Sequence, residues 1–296
     1  MMNSTQKDQL DIEFNREKKY RKHIVIIDSS MRDMSIYQEP SYYRINLPTT
    51  YKQVTKVRLI TAEIPCSFYI FNAAQNNTTL HIGIYDSSHT TRLPMQTIVL
   101  PDGNYRTDTI ATTLTDLLNN NALFKSESVT FTVSVDQTTY HLSIAASNRI
   151  VYIDTAYTGV VPNPNYAINN WGLEYYLGFL PNQITKSSSS TTACTANRMI
   201  KLNPINYILL DINEINGIDE CNRSTNSAFA KIPINVNSFD MITLNDNNCC
   251  SYNESNLNPN IGKLNTLTVK WRFSDASLVN FNNADHSFTL EVISIE

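Results

Sequence analysis

The sequence predicts an all-β body: a jelly-roll β-sandwich carrying an inserted strand-and-helix section, preceded by a flexible N-terminal arm. Three observations lead there. Over residues 264–273, Leu267, Val269, Trp271 and Phe273 alternate with Thr266, Thr268, Lys270 and Arg272, the two-residue period of a half-buried strand. Phe288, Leu290 and Val292 repeat the pattern. Two such strands are marginal alone in water, so the rest of the chain must supply a second layer. Roughly a dozen short runs of this kind, one convincing helix and no β-α-β alternation suit a sandwich or jelly roll with an insertion. The chain is also rich in Asn, Thr and Ser, with 16 Tyr, types that favour turns and strands over helices.

Taken in order, residues 1–22 read as an arm. It is acidic first (Asp8, Asp11, Glu13) and basic later (Arg16, Lys18, Lys19, Arg21, Lys22), with Leu10, Ile12 and Phe14 as its apolar residues. Alone it buries too little surface to offset its ordering entropy. It is either a solvated tail or a segment that orders on a neighbouring subunit or an anionic surface, with Phe14 and Tyr20 as anchors. Residues 23–296 form the body. His23 to Asp28 reads as a fully buried strand, residues 43–47 as a second stopped by Pro48, and residues 54–64 as a third. In that third run the apolar phase changes between Leu59 and Ile60, which predicts a bulge or a strand covered on both faces.

Residues 76–183 read as an inserted subdomain. Ile110, Leu114, Leu117 and Leu118 make one stripe of an amphipathic helix near 107–119, entered at Thr107 and stopped by three asparagines. Val129 to Val135 and Tyr140 to Ile144 alternate on either side of Asp136, a hairpin signal. Residues 186–192 form a polar connector, and residues 245–260 an Asn-rich loop before the two closing strands.

Composition narrows the function classes. There are 296 residues, 23 Lys and Arg against 27 Asp and Glu, and a formal charge of -4, so no global charge points to nucleic acid. The start of the chain has no signal-peptide pattern and no run approaches a membrane span, so a soluble product made in the cytosol is expected. Five cysteines without C-x-x-C spacing read as free thiols. No G-x-S-x-G, H-E-x-x-H or phosphate loop is present, and 7 glycines give little material for a Gly-rich cradle. His81 and His141 read as surface histidines. Asp285 is expected to fix the turn before the last strand by accepting backbone amides. Glu63, Glu174 and Asp211 have no spacing that pairs them as a glycosidase requires. The sequence therefore predicts no enzyme, no cofactor and no metal.

A resemblance narrows the reading. Residues 26–33 (IIDSSMRD), 43–47 (YRINL), 51–59 (YKQVTKVRL) and 62–69 (AEIPCSFY) resemble the N-terminal half of minor capsid and penton-type proteins of the nucleocytoplasmic large DNA viruses. Residues 102–105 (DGNY), 176–179 (YLGF) and 285–292 (DHSFTLEV) resemble later parts. One departure is the turn between the last two strands, 274–277 (SDAS), where the family often has a Gly. The resemblance implies a jelly-roll virion protein assembled in the host cytoplasm, at the five-fold vertex or elsewhere as a minor capsid protein. Its implied partners are the major capsid protein, other minor capsid proteins and further copies of itself, five for a penton. No specific nucleic acid is implied, and a contact with the inner membrane face is left open. Phe14, Lys18, Lys19, Tyr20 and Arg21 of the arm are the expected assembly contacts. The alternative is a carbohydrate-binding spike or fibre head, which an exposed Trp171 with Tyr175 and Tyr176 would favour.

Overall fold

Strand-forming sequence dominates the computed structural model, which describes residues 19–155, 172–180, 184–188, 193–215, 218–219, 227–245 and 253–295. The strands begin with β1 (Tyr20–Asp28), β2 (Tyr42–Pro65), β3 (Thr79–Ile84), β4 (Gln96–Val99), β5 (Phe131–Val135), β6 (His141–Ala146), β7 (Val151–Asp154) and β8 (Ile184–Lys186). They continue with β9 (Ala193–Met199), β10 (Tyr207–Ile212), β11 (Ile218–Asp219), β12 (Ser227–Ala228), β13 (Ala230–Pro233), β14 (Met241–Asn245), β15 (Glu254–Arg272) and β16 (Ser287–Ile295). The helices are α1 (Thr107–Asn120), α2 (Ala122–Ser126) and α3 (Leu173–Tyr176). Two compact units account for the chain: Met1–Ser67 with Tyr207–Cys221 and Thr225–Glu296, and Phe68–Asn206 with Asn222–Ser224.

The first unit is an all-β jelly roll whose sheet runs β1-β16-β2-β15-β10-β13, with β14 also on β2. The two closing strands are not neighbours, because β2 lies between them and pairs with both. Lys270 of β15 sits opposite Tyr42 and Phe288 of β16 opposite Ala62. A straight strand would separate Tyr42 from Ala62 by about 65 Å. Yet the ring centroids of Trp271 and Phe288 are 6.0 Å apart. The sheet therefore curls back on itself, and the apolar halves of the alternating pattern meet as two inner faces.

Bulges let the long strands turn. Pairing of β2 with β16 shifts between Thr289 and Leu290, leaving Ile60 as the extra residue, where the apolar phase change predicts a bulge. Pro48 does not end a strand: it lies inside β2, in the stretch between Asn46 and Tyr51 where pairing with β15 shifts, so its missing N–H costs no ladder bond. The expected loop over residues 245–260 is shorter than read, since β15 starts at Glu254 and accommodates Pro259 at a second shift between Asn256 and Ile261.

After β15 the chain turns at residues 274–277. Asp275 accepts the Ser277 N–H at 3.0 Å, and Ala276 has φ +70°. That left-handed conformation strains any residue with a Cβ. Ala276→Gly is expected to raise stability by about 0.5–1 kcal/mol in urea unfolding, the relief of strain outweighing the added unfolded-state entropy.

In the second unit a β4-β3-β7-β8 sheet and a β5-β6-β9 sheet share a core with α1. Ile110, Leu114 and Leu118 are buried and Leu117 packs against them, the stripe read from the sequence. Asn119 of α1 acts as a strand edge: its Oδ1 accepts the Phe131 N–H at 2.7 Å and its Nδ2 donates to the Phe131 carbonyl at 3.0 Å. The helix thereby caps an otherwise open edge of β5. The expected hairpin joins β5 to β6. Its turn is held by Asp136, whose carboxylate accepts the N–H groups of Thr139 and Thr138 at 2.7 and 2.8 Å and is kept below the ordinary carboxylate pKa by them. Gly178, at φ +97°, is required because a Cβ there would lie 2.2 Å from the Arg198 carbonyl oxygen.

Candidate assembly surface

The run HIVII cannot tell a two-faced strand from a one-faced one, and the structure decides it. Val25 and Ile27 are buried, but Ile24 is 56% and Ile26 75% exposed, so the expectation of a fully buried strand fails on one face. Tyr20, on that same face, is 64% exposed. Among the described residues β1 pairs only with β16, over nine residues in unbroken register. It is an edge strand with no proline and no bulge, whose charged residues, Arg21 and Lys22, stand at its start, leaving the Ile24–Ile26 stretch apolar.

Inward from the edge the same face is polar. Lys22 reaches the Glu291 carboxylate at 2.5 Å, and Arg58 of β2 approaches it at 3.9 Å. Lys56 pairs with Glu254 at 2.7 Å, and Thr61 bonds Thr289 at 3.0 Å. The apolar side chains are thus concentrated at the free margin.

Beyond β1 the chain enters a short turn, Ser29–Met31, because the Asp28 carboxylate accepts the Ser30 N–H at 2.9 Å. Hydrogen bonds from the Ser30 hydroxyl and N–H hold Asp28 below the usual carboxylate pKa. Arg32, buried, organises the loop after this turn: it donates to the carbonyls of Ser29, Tyr37 and Gln38 at 2.8, 3.0 and 3.0 Å and to Asp285 at 2.5 Å. Asp285 also accepts the Ser29 hydroxyl at 2.8 Å. It therefore fixes the turn through an arginine and a serine, where backbone amides were expected. The loop so braced exposes Met31, Met34 and Ile36. An isolated exposed apolar residue is ordinary; three within six positions, next in sequence to an apolar edge, make a candidate interaction surface.

Under this segment lies His286. Its ring centroid is 5.0 Å from Trp271, 5.2 Å from Phe281 and 5.8 Å from Tyr43. Nε2 is 3.0 Å from the Pro40 carbonyl oxygen, which can only accept, so Nε2 carries the proton of the neutral ring. Burial pulls its pKa down to about 4.

Of the expected contact residues, Phe14 and Lys18 lie outside the described residues. Lys19 and Tyr20 are exposed, Lys19 just before the strand and Tyr20 at its first position; Arg21 is exposed opposite Ser294. Nothing in composition flagged Ile24, Ile26 or the Met31–Ile36 loop, since exposure of an apolar run is decided by sheet topology.

The candidate catalytic groups are used elsewhere. His81 is not a surface histidine: it is buried with Glu174, its Nδ1 2.8 Å from Oε1, and the same oxygen accepts the His81 N–H. The Glu63 carboxylate accepts the Ser287 hydroxyl at 2.9 Å, and Asp211 meets Arg272 at 3.4 Å. Burial pushes the Cys66 thiol up and the Cys194 thiol up to about 12, so both stay protonated and unreactive at neutral pH. Cys221, Cys249, Cys250 and Trp171 lie outside the described residues. Tyr176 packs edge-on against Phe71 at 5.8 Å, half-buried. No cluster of three or more metal-ligating side chains occurs among the described residues.

Comparison with known proteins agrees with the fold. The crystal structure of the mavirus penton protein superposes with a TM-score of 0.54 over 94% of this chain and 100% of that one, at 11% identity. A chain of the Sputnik virophage cryo-EM structure matches with a TM-score of 0.43 over 94% and 98%, also at 11% identity. No curated protein matches this sequence. The family model described as "Family of unknown function (DUF5901)" matches residues 11–161.

Proposed function

Because this chain belongs to DUF5901, a family of unknown function, its role has to be read from fold and surface, and from these we propose a virion structural protein of penton type. The observation that carries this reading is the mavirus penton fold, matched along the whole of that protein. Its surface supports the same role. The curled sandwich presents an edge strand with exposed Ile24 and Ile26 and an apolar loop, and its described acids and thiols, Glu63, Glu174, Asp211, Cys66 and Cys194, are engaged or protonated. Such a molecule is suited to gripping neighbours, not to turning over a substrate.

In this role five copies close around the vertex by a heterologous contact, one surface of each copy meeting a different surface of the next. The major capsid protein and other minor capsid proteins surround the ring, assembly takes place in the host cytoplasm, and no nucleic acid is contacted specifically. Residues 76–183 act as an inserted subdomain. Residues 1–22 act as the arm, of which Tyr20, Arg21 and Lys22 already pair with β16 and the part before them orders on assembly, with Phe14, Lys18, Lys19, Tyr20 and Arg21 as its contacts. Native mass spectrometry of the full chain tests the ring. A dominant five-copy species is expected, and a population of monomers and two-fold dimers alone would contradict it.

A further inference from the structure

The loop that follows β1 is both apolar and acidic. Met31, Met34 and Ile36 are exposed, and its exposed charges are Asp33 and Glu39, since its one cation, Arg32, is buried against Asp285. Lys270 stands over the Tyr42 ring at 5.5 Å, where the loop rejoins β2. The loop is held in one shape before anything binds. Arg32 clamps it from inside, the Asp33 carbonyl accepts the N–H groups of Ile36 and Tyr37 at 3.1 and 2.8 Å, and the Asp33 carboxylate accepts the Ser35 N–H at 3.0 Å. Little ordering of the loop is left to oppose binding.

We propose that this loop seats residues 14–19 of a second copy of this chain, with Phe14 among Met31, Met34 and Ile36, and with Arg16 and Lys18 against Asp33 and Glu39. Residues 14–19 read Phe-Asn-Arg-Glu-Lys-Lys, one aromatic with three cations and one acid, the chemical complement of the loop. When they are extended, alternation puts Phe14, Arg16 and Lys18 on one side and Glu17 on the other. Methionine side chains adapt to an aromatic ring and make favourable sulfur contacts with it. The acidic stretch before this segment, Asp8, Asp11 and Glu13, would be repelled by the same two carboxylates, which fixes the choice of segment.

Reach excludes the chain's own arm. The arm joins the body at Tyr20, and β1 then carries the chain through nine residues, about 26 Å, to Asp28 before the loop begins. At that far end the loop is pinned by Arg32 to Asp285 and by the Pro40 carbonyl to His286. Lys18, two residues before Tyr20, lies within about 7 Å of it and Arg16 within about 14 Å, too short even with their side chains added. A second copy must therefore supply the segment. Arm and loop are different surfaces, so the contact is heterologous and can propagate around a ring. The inference rests in that respect on the penton reading.

The test treats the full chain with a carbodiimide, which joins an amine to a carboxylate as an amide without a spacer. The products are separated by mass under denaturing conditions and the joined peptides are mapped. The expected result is a link from Lys18 or Lys19 to Asp33 or Glu39, found in the two-chain product and not in the one-chain product. It should be at least tenfold more abundant than links from the same lysines to Asp116, an exposed acid on α1. Replacing exposed Met34→Ser and Ile36→Ser together should cut that yield severalfold, and an unchanged yield would overturn the seat for Phe14. A yield no greater than that to Asp116, or a link formed within single chains, would overturn the proposal and leave the loop to another occupant. Native mass spectrometry of the untreated chain separates the two failures. A five-copy ring without the link would sink the arm contact alone, and the absence of any ring would sink the penton reading with it.

Discussion

Trp271→Ala is expected to lower the stability of the chain by about 3–5 kcal/mol, the cost of removing a fully buried large aromatic from a core that cannot collapse onto the gap. Trp271 is the point at which the curled sheet closes: it is 0% exposed, on β15, and its ring meets Phe288 of β16 at 6.0 Å and Phe281 at 6.2 Å. A domain has only about 5–15 kcal/mol in total. The variant should therefore unfold at a much lower urea concentration, with its midpoint moved far more than by Trp271→Phe, which keeps most of the buried ring. If Trp271→Ala cost under 1 kcal/mol, the two layers would not be held together at this position.

Acid should weaken the same region. The pKa of His286 is lowered by burial from 6.5 to about 4, with the Pro40 carbonyl and Asp285 pulling the other way and Arg32 adding to the depression. The folded state thus disfavours the charged ring, whereas the unfolded chain protonates it freely. Stability from this group is intact above pH 6.5, declines as pH falls from 6.5 to about 4, and is fully lost below that. The loss amounts to roughly 3 kcal/mol from the difference between the two pKa values. Carboxylates with depressed values, Asp28 among them, contribute in a separate and more acidic window, below about 4. Urea midpoints measured between pH 7 and 4.5 should fall steeply in the native chain and stay nearly level in His286→Phe. An equal slope in both proteins would show that His286 does not carry the effect. The Pro40 bond survives protonation, which adds its proton at Nδ1, so acid is expected to act on the packing of Trp271, Phe281 and Tyr43 around the charged ring.

Much of the fold was legible wherever a local pattern dictates local structure. The α1 stripe, the β5–β6 hairpin with its Asp136 turn, and the bulge at Ile60 all follow from spacing along the chain. The readings that failed depend on partners distant in sequence. Pro48 looks like a strand terminator until the pairing shift beside it is known, and the two closing strands look like neighbours until β2 is seen between them. His81 sits on an apparently polar strand face, yet Glu174, far along the chain, covers it. The exposed face of β1 was not legible: charge and aromatic residues drew the reading to the arm around Tyr20, while the exposure of Ile24 and Ile26 follows only from β1 being at the margin of the sheet. An apolar run carries no mark of which face will be left uncovered.

If, as proposed, this chain grips copies of itself and its neighbours at a capsid vertex, a cryo-EM map of particles containing it, with every chain assigned, will show five copies of the jelly roll around each five-fold axis, with β1 edges turned toward adjoining chains. Density for it only on outer spikes, or none in the particle, would rule that role out.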